Sequence, residues 1–325
     1  MNHPFISVII PVEEFNSFLE ESLPKYRGLD YSNFEVLVFT TKSCDRKYPK
    51  VKFINEPSYA KNPAKKRDLA LKYAEGEWLA FIDDDAYPSK GWLKNASKFF
   101  SDKSISAVCG PGITPPNVSV FEKASGWVSA SRLGGGNCGH RFIPTKEMFV
   151  EDFPSMNFIV RKEDFTKVGG FDSNFYPGED TKLCLDIVHK LKKKILYVPS
   201  VLVYHHHRLL FKKHLKQNGN FGFHRGHFAR ILPQTSRKLG YFIPTIFALG
   251  FFSGPFLYFL SYPLFLVWTA VVLMYVFLII LTSVWVYSKE RNIVIALLVI
   301  PGIFLTHIWY GVRFIQGFFA RKLNS

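Results

Sequence analysis

From Tyr241 to Tyr287 the chain runs for 47 residues without an Asp, Glu, Lys or Arg. A bilayer-spanning helix needs roughly 20 apolar residues. A single helix of this length would overshoot the bilayer, so the run is expected to fold back on itself. Spans are expected near Tyr241–Tyr262 and Leu264–Tyr287, with Pro263 in a tight turn. Ser288-Lys-Glu-Arg-Asn292 closes the second span. Ile293 to about Tyr310 is long enough for a third, with Pro301-Gly302 inside it. His307, Arg313, Gly311 and Gly317 leave a second option for that segment, a helix lying in the interface. Residues 241–320 thus form a membrane region with two or three transmembrane helices.

Charge sharpens this reading. The chain of 325 residues holds 41 Lys and Arg against 26 Asp and Glu, a net +15. Thirteen of those cations fall between Lys182 and Lys238, against one acid, Asp186. Nucleic acid or an anionic membrane surface would suit such a stretch. The apolar run that follows favours the membrane, and no RNA- or DNA-binding motif is present, so no nucleic-acid partner is expected. Phe221, Phe223 and Phe228 are interleaved with the cations. Residues 206–240 are therefore read as an interfacial helix or loop on anionic lipid, the plainer alternative being a solvated basic linker. Lys and Arg before the first span, and Lys289 and Arg291 after the second, point to the cytoplasm. The expected place is the cell (inner) membrane, multi-pass, with the rest of the chain cytoplasmic. Cys44, Cys109, Cys138 and Cys184 show no metal-binding or redox spacing and are expected as free thiols. Met1-Asn-His-Pro-Phe5 lacks a basic n-region and a long apolar h-region, so no cleaved signal peptide is expected.

Residues 1–205 alternate short apolar runs with helical patterns. Ser7–Pro11, Phe34–Phe39, Val51–Ile54, Trp78–Ile82 and Asn157–Val160 read as strands. Asn62-Pro63 reads as the N-cap and first residue of a helix to about Glu75, closed by Gly76. Glu163–Val168 reads as a short helix and Thr181–Lys194 as a longer one, with Leu183, Ile187, Val188 and Leu191 on one side. Gly126–Gly139, rich in Gly and Ser, reads as a mobile loop. The alternation implies an α/β domain with helices on both faces of its sheet. In such sheets ligands sit at the carboxyl ends of the strands.

One such end is acidic. Trp78-Leu-Ala-Phe-Ile82 has no polar residue and delivers Asp83, Asp84 and Asp85 into one loop. Like charges this close raise one another's pKa unless a cation holds them. Oxygen ligands favour Mg²⁺ or Mn²⁺, which in turn bind phosphates. A second acidic pair, Glu179-Asp180, opens a helix whose dipole favours anions there. Other readings of these motifs fail. No P-loop sequence accompanies the apolar strand. An EF-hand would need Gly at Pro88 and Glu at Lys94. Gly134–Gly139 has the glycine spacing of a dinucleotide loop but no strand before it.

The order that remains is strand-Pro11, Lys65-Lys66-Arg67-Asp68, strand-Asp83-Asp84-Asp85, Gly169-Gly-Phe-Asp172, then Gly178-Glu179-Asp180. It resembles the family 2 glycosyltransferases, which have a GT-A fold, a Rossmann-like mixed sheet with helices on both faces. The resemblance covers about Phe5 to Leu239. It implies a membrane-anchored inverting glycosyltransferase with a nucleotide-sugar donor, a divalent cation (Mg or Mn) and a lipid-linked or polysaccharide acceptor. Asp83 and Asp85 match the family's metal and donor motif, and His205, within His205-His-His207, matches a histidine near the metal. Pro11, Val12, Glu13, Thr41, Arg67, Asp83 and Asp84 fall where the family binds the donor. Asp180 matches the general base, with Glu179 beside it. The sequence departs from the pattern after the second strand, where Thr40-Thr41-Lys42-Ser43 replaces an acidic pair. Glu13-Glu14 and Arg67-Asp68 replace an aromatic-Asn and an Arg-Asn. These departures leave one alternative, a catalytically degenerate domain serving as a membrane scaffold or binding module. Two or three spans are too few for an export channel, so other polysaccharide-assembly or export proteins are expected partners.

Overall fold

The computed structural model describes residues 4–59, 62–171, 175 and 178–321. Asp172 of the Gly169-Gly-Phe-Asp172 motif lies outside them. The chain forms two compact units, residues 1–115 with 143–206, and residues 116–142 with 207–324.

Among the described residues, the first unit holds eleven strands: β1 Ile6–Pro11, β2 Phe34–Thr40, β3 Val51–Asn55, β4 Trp78–Ile82, β5 Ala86–Pro88, β6 Ile105–Cys109, β7 Gly112–Ile113, β8 Met148–Val150, β9 Asn157–Arg161, β10 Lys194–Tyr197 and β11 Val203–His205. Eight form a mixed sheet in the order β3-β2-β1-β4-β9-β6-β10-β8. The β3, β2, β1 and β4 ladders are parallel, whereas β9 runs antiparallel to β4 and β6. The core explains why the central strands read as largely apolar runs. Val8, Ile10, Val36, Val38, Ala80 and Ile82 face one buried layer. Ile9, Leu37, Phe39, Leu79 and Phe81 face the other. With both faces covered, β1, β2 and β4 are apolar apart from the buried Ser7, Glu35 and Thr40, and Ser7 Oγ donates to Glu35 Oε1 at 2.8 Å.

The helices follow their caps. Asn62 accepts the Lys65 N–H through its side chain, and the helix runs Pro63–Asp68, resuming over Ala70–Tyr73 after Leu69. The helix expected over Thr181–Lys194 covers Glu179–Leu185, followed by a wider turn over Asp186–Lys190. It stops short because Lys192 takes a positive φ of 56° and Lys194 enters β10.

In the second unit, Gly126–Gly139 is not a mobile loop. Ser119 caps a helix over Val120–Ala130, a short helix follows over Arg132–Gly135, and a 3-10 turn spans Gly136–Arg141. The small residues serve packing. Ala124, Ser125 and Gly126 are buried, and Ala124 and Val128 join Leu210, Ile279, Val286, Ile295, Val299 and Ile303 in one cluster. Among the described residues, three helices are long and apolar enough to cross a membrane, over Leu239–Leu260, Tyr262–Glu290 and Ile293–Phe319. The first hairpin breaks at the extended Ser261. Pro263 lies in the first turn of the next helix, where its missing N–H costs nothing. The third helix runs well past Tyr310, through Pro301.

The basic segment forms a helix over Lys212–Ile231, and its glycines set how it packs. A Cβ on Gly222 would meet the Tyr310 carbonyl at 2.6 Å, and one on Gly226 the Phe314 carbonyl at 2.0 Å. From the other side, a Cβ on Gly317 would meet the Phe223 carbonyl at 1.8 Å. Only bare backbones allow this helix and the third apolar helix to lie so close.

Candidate active site

Parallel pairing brings the carboxyl ends of β1, β2 and β4 to one rim of the sheet, with Pro11 opposite Phe39 and Ile9 opposite Phe81. The segments Pro11–Glu14, Thr40-Thr41 and Asp83–Asp85 leave from that rim. Pro11 and Val12 are buried there, while Glu13 is exposed. Two hydrogen bonds join the Glu13 carbonyl to Thr41, from its N–H at 2.9 Å and its Oγ1 at 2.6 Å. The Thr41 hydroxyl proton is thus engaged, and the oxygen retains accepting capacity. Thr40 is fully buried.

His205 reaches this rim through the small sheet β5-β11-β7. Antiparallel pairing sets His205 opposite Ala86, and the His206 N–H donates to the Asp85 carbonyl at 2.9 Å. One donor atom each from Asp83, Asp85 and His205 lie within 4.8 Å of one another. His205 Nε2 is 3.2 Å from Asp85 Oδ1. An octahedral ion with bonds of about 2.1 Å sets adjacent donors about 3.0 Å apart and opposite donors about 4.2 Å apart. Two carboxylates and an imidazole grouped this closely could together hold a divalent cation. Of the run His205-His-His207, the register selects His205. His206 Nε2 instead lies 3.1 Å from Glu21 Oε2.

Arg67 ties the two acidic motifs together. Its Nη2 donates to Asp83 Oδ1 at 2.7 Å and its Nη1 to Glu179 Oε1 at 3.0 Å. Burial opposes the charge on Arg67, but Asp83 and Glu179 outweigh it, and its pKa stays above the ordinary arginine value. Glu179 is buried and also accepts the Gly178 N–H at 2.8 Å. Asp180 is partly exposed, and its Oδ1 accepts the Thr181 N–H at 2.7 Å. Within one acidic pair the surroundings differ: Glu179 is buried against Arg67, whereas Asp180 is partly exposed.

Asp84 turns away from the Asp83–Asp85–His205 group. It accepts from Asn16 Nδ2 at 2.6 Å. Burial first, then Asp85 and Asp83, pushes its pKa up to about 6.

Asn16 was not singled out from the sequence, and Lys66 and Asp68 were read there only as parts of the Lys65-Lys66-Arg67-Asp68 motif. Asn16 both caps the Ser17–Ser22 helix and holds Asp84. Its place before an apolar-acidic turn is an N-cap signal that was there to read. Lys66 is buried and donates to the Val12 carbonyl at 2.6 Å, and burial holds its pKa below the ordinary lysine value. Asp68 accepts the Phe171 N–H at 2.7 Å, joining the basic helix to the Gly169-Gly170-Phe171 turn.

A family model described as glycosyltransferase like family 2 matches residues 7–246. The chain belongs to glycosyltransferase family 2. It is 27% identical over 231 residues to the pre-mycofactocin glycosyltransferase of Mycobacterium tuberculosis, covering 68% of this chain and 47% of that protein. It is 28% identical over 212 residues to the minor teichoic acid biosynthesis protein GgaB of Bacillus subtilis, covering 59% of this chain and 22% of that one. With the GalNAc(5)-diNAcBac-PP-undecaprenol beta-1,3-glucosyltransferase of Campylobacter jejuni it shares 23% identity over 205 residues, 60% of this chain and 62% of that one. The match to the mycobacterial protein thus takes in about half of that relative's length. Among solved structures, the mannosyltransferase PcManGT of Pyrobaculum calidifontis, in complex with GDP-Man and Mn2+, superposes with a TM-score of 0.54 at 17% identity, covering 95% of this chain and 88% of that one. That likeness establishes the family 2 fold, a mixed GT-A sheet followed by apolar helices.

Proposed function

We propose that this family 2 chain is a membrane-anchored inverting glycosyltransferase. It takes a sugar from a nucleotide-sugar donor and passes it to a lipid-linked or polysaccharide acceptor at the cytoplasmic face of the membrane. The observation that carries the reading is the Asp83–Asp85–His205 group at the carboxyl rim of the sheet, with donor atoms within 4.8 Å of one another. The relatives named for teichoic acid and for an undecaprenol-linked glycan support the acceptor class. The three apolar helices support a membrane location.

The site's parts divide the work. Asp83, Asp85 and His205 would hold a divalent cation, which neutralises the charge of a leaving nucleoside diphosphate when bound. Arg67 fixes the Asp83 carboxylate, so this ligand is oriented before the donor arrives. Pro11, Val12, Glu13 and Thr41 border the space beyond β1 and β2 where the nucleoside lies, and Asp84 is held beside it by Asn16. Asp180, partly exposed at a helix start, takes the proton from the acceptor hydroxyl as that oxygen attacks the anomeric carbon. Attack comes from the face opposite the leaving diphosphate, which inverts the configuration.

Calorimetric titration of the full chain with UDP-, GDP- and dTDP-sugars, each with Mn²⁺ or Mg²⁺, tests the reading. One donor is expected to bind only with the cation, and Asp85→Ala is expected to remove that binding. Asp180→Asn is expected to keep donor affinity and lower turnover by roughly 10²–10⁴. Cation-independent binding, or loss of donor affinity in Asp180→Asn, would contradict these roles.

A further inference from the structure

We propose that the cleft between the Lys212–Ile231 helix and the third apolar helix binds the phosphate head group of an anionic bilayer lipid. The cleft has a volume of 490 Å³ and is lined by Lys212, Leu215, Lys216, Asn220, Trp309 and Arg313. Spacing makes this one built surface. Lys212, Leu215, Lys216 and Asn220 recur at helical intervals on one helix face, and Trp309 and Arg313 stand one turn apart on the other helix. Three cations and one amide thus converge, and no lining residue is acidic.

The cations have few carboxylates to turn to. The second unit contains only Glu122 and Glu290. Glu290 is engaged by Lys123 and accepts from Trp127 Nε1 at 3.0 Å. Arg313 belongs to a helix apolar and long enough to span the bilayer, where a cation persists by meeting an anion or an aqueous cavity. It is held in place. Its Nη1 donates to Gln316 Oε1 at 2.7 Å, and its guanidinium lies over the Phe223 ring at 4.8 Å.

Gly219 gives the cleft its depth. A Cβ there would meet Trp309 Nε1 at 2.3 Å and Arg313 Cγ at 3.2 Å. Without one, the indole and the arginine stem lie against the basic helix. Trp309 remains 43% exposed, as interfacial tryptophans do, and exposed Leu305 continues its face by one turn. Cations at one end and apolar side chains beside them match a lipid phosphate with its acyl chain. A soluble phosphate would leave Leu215 and Trp309 unused. Basic pockets between membrane helices recognise lipid head groups in this way.

The test uses the full chain in detergent, titrated with fluorescent phosphatidylglycerol or phosphatidylcholine. Phosphatidylglycerol is expected to bind roughly tenfold more tightly or better. Lys212 and Lys216 are exposed, so Lys212→Gln with Lys216→Gln leaves the fold intact and is expected to lower that affinity about tenfold. Lys289→Gln with Arg291→Gln removes the same charge elsewhere in the unit and is expected to change it less than about threefold. Equal affinity for the two lipids, or equal loss in both double variants, would overturn the proposal. So would displacement of phosphatidylglycerol by equimolar inorganic phosphate, which would mark a soluble-anion site instead.

Discussion

Arg67 is a buried cation shared between two carboxylates that lie far apart in the chain, Asp83 and Glu179. Its guanidinium can serve both because its two terminal nitrogens diverge, which a lysine ammonium cannot reproduce. Removing it strands Glu179, which is 5% exposed. Loss of one partner of a buried pair costs about 3–5 kcal/mol, because the other charge stays desolvated. Arg67→Gln is therefore expected to lower stability by roughly that amount in urea unfolding of the purified chain. The double change Arg67→Gln with Glu179→Gln is expected to recover much of the loss. Simple additivity of the two would show that Glu179 does not depend on Arg67. At this scale the sequence was partly legible. The acids and Arg67 stand in ordered local motifs, and β4 could be read to its last residue. The pairing of Arg67 with Glu179 was not legible, since it joins positions 112 residues apart. Glu179 accordingly read as an adjunct to Asp180 rather than as a counter-charge.

Length helped but did not decide which elements were legible: β6 has five residues, all buried, and was not recognised. β1, β2, β3, β4 and β9 have five to seven residues and enough apolar run to be recognised. β5, β7, β8 and β11 have two or three, too few for any period to show. Two of those short strands carry His205 to Asp85, so the least legible elements complete the candidate metal site. Small residues misled in the opposite direction. Gly and Ser between Gly126 and Gly139 suggested a loop, but their lack of bulk lets a helix pack closely. Within that packing Ser125 Oγ is 2.7 Å from His214 Nδ1, and His214 Nε2 is 2.9 Å from Thr306 Oγ1. One imidazole thus links three helices. Burial pushes its pKa down to about 4 from an ordinary 6.5. The folded unit then binds fewer protons than the unfolded chain between those values, so stability falls as pH falls from 6.5 toward 4. Its full contribution is present above pH 6.5. The difference corresponds to about 3 kcal/mol at most. Thermal unfolding in detergent is expected to show a lower Tm at pH 5 than at pH 7 for the native chain, and a smaller difference for His214→Gln. An equal pH effect in both would remove His214 as its source.

At the scale of the whole molecule, charge divides with the units. Residues 116–142 and 207–324 hold sixteen Lys and Arg against two acids, a net +14, leaving the first unit at +1. The basicity read from the sequence is therefore almost entirely a property of the unit that carries the apolar helices. An anionic surface would attract that unit and leave the other nearly indifferent. The same division changes what truncation does. A cut after Leu239 looks from the sequence like the removal of a membrane anchor alone. In the fold, the Val120–Ala130 helix belongs to the second unit and buries Ala124 and Val128 among Ile279, Val286, Ile295, Val299 and Ile303. All five of those partners lie beyond the cut. A chain ending at Leu239 is thus expected to expose that helix face and to aggregate without detergent, as uncovered apolar patches do. Replacing residues 116–142 with a Gly/Ser linker and ending the chain at His206 removes the face with its partners. That form is expected to stay monomeric in size-exclusion chromatography, with cooperative unfolding. If the longer truncation were equally monomeric without detergent, the Val120–Ala130 helix would not require the membrane helices as cover.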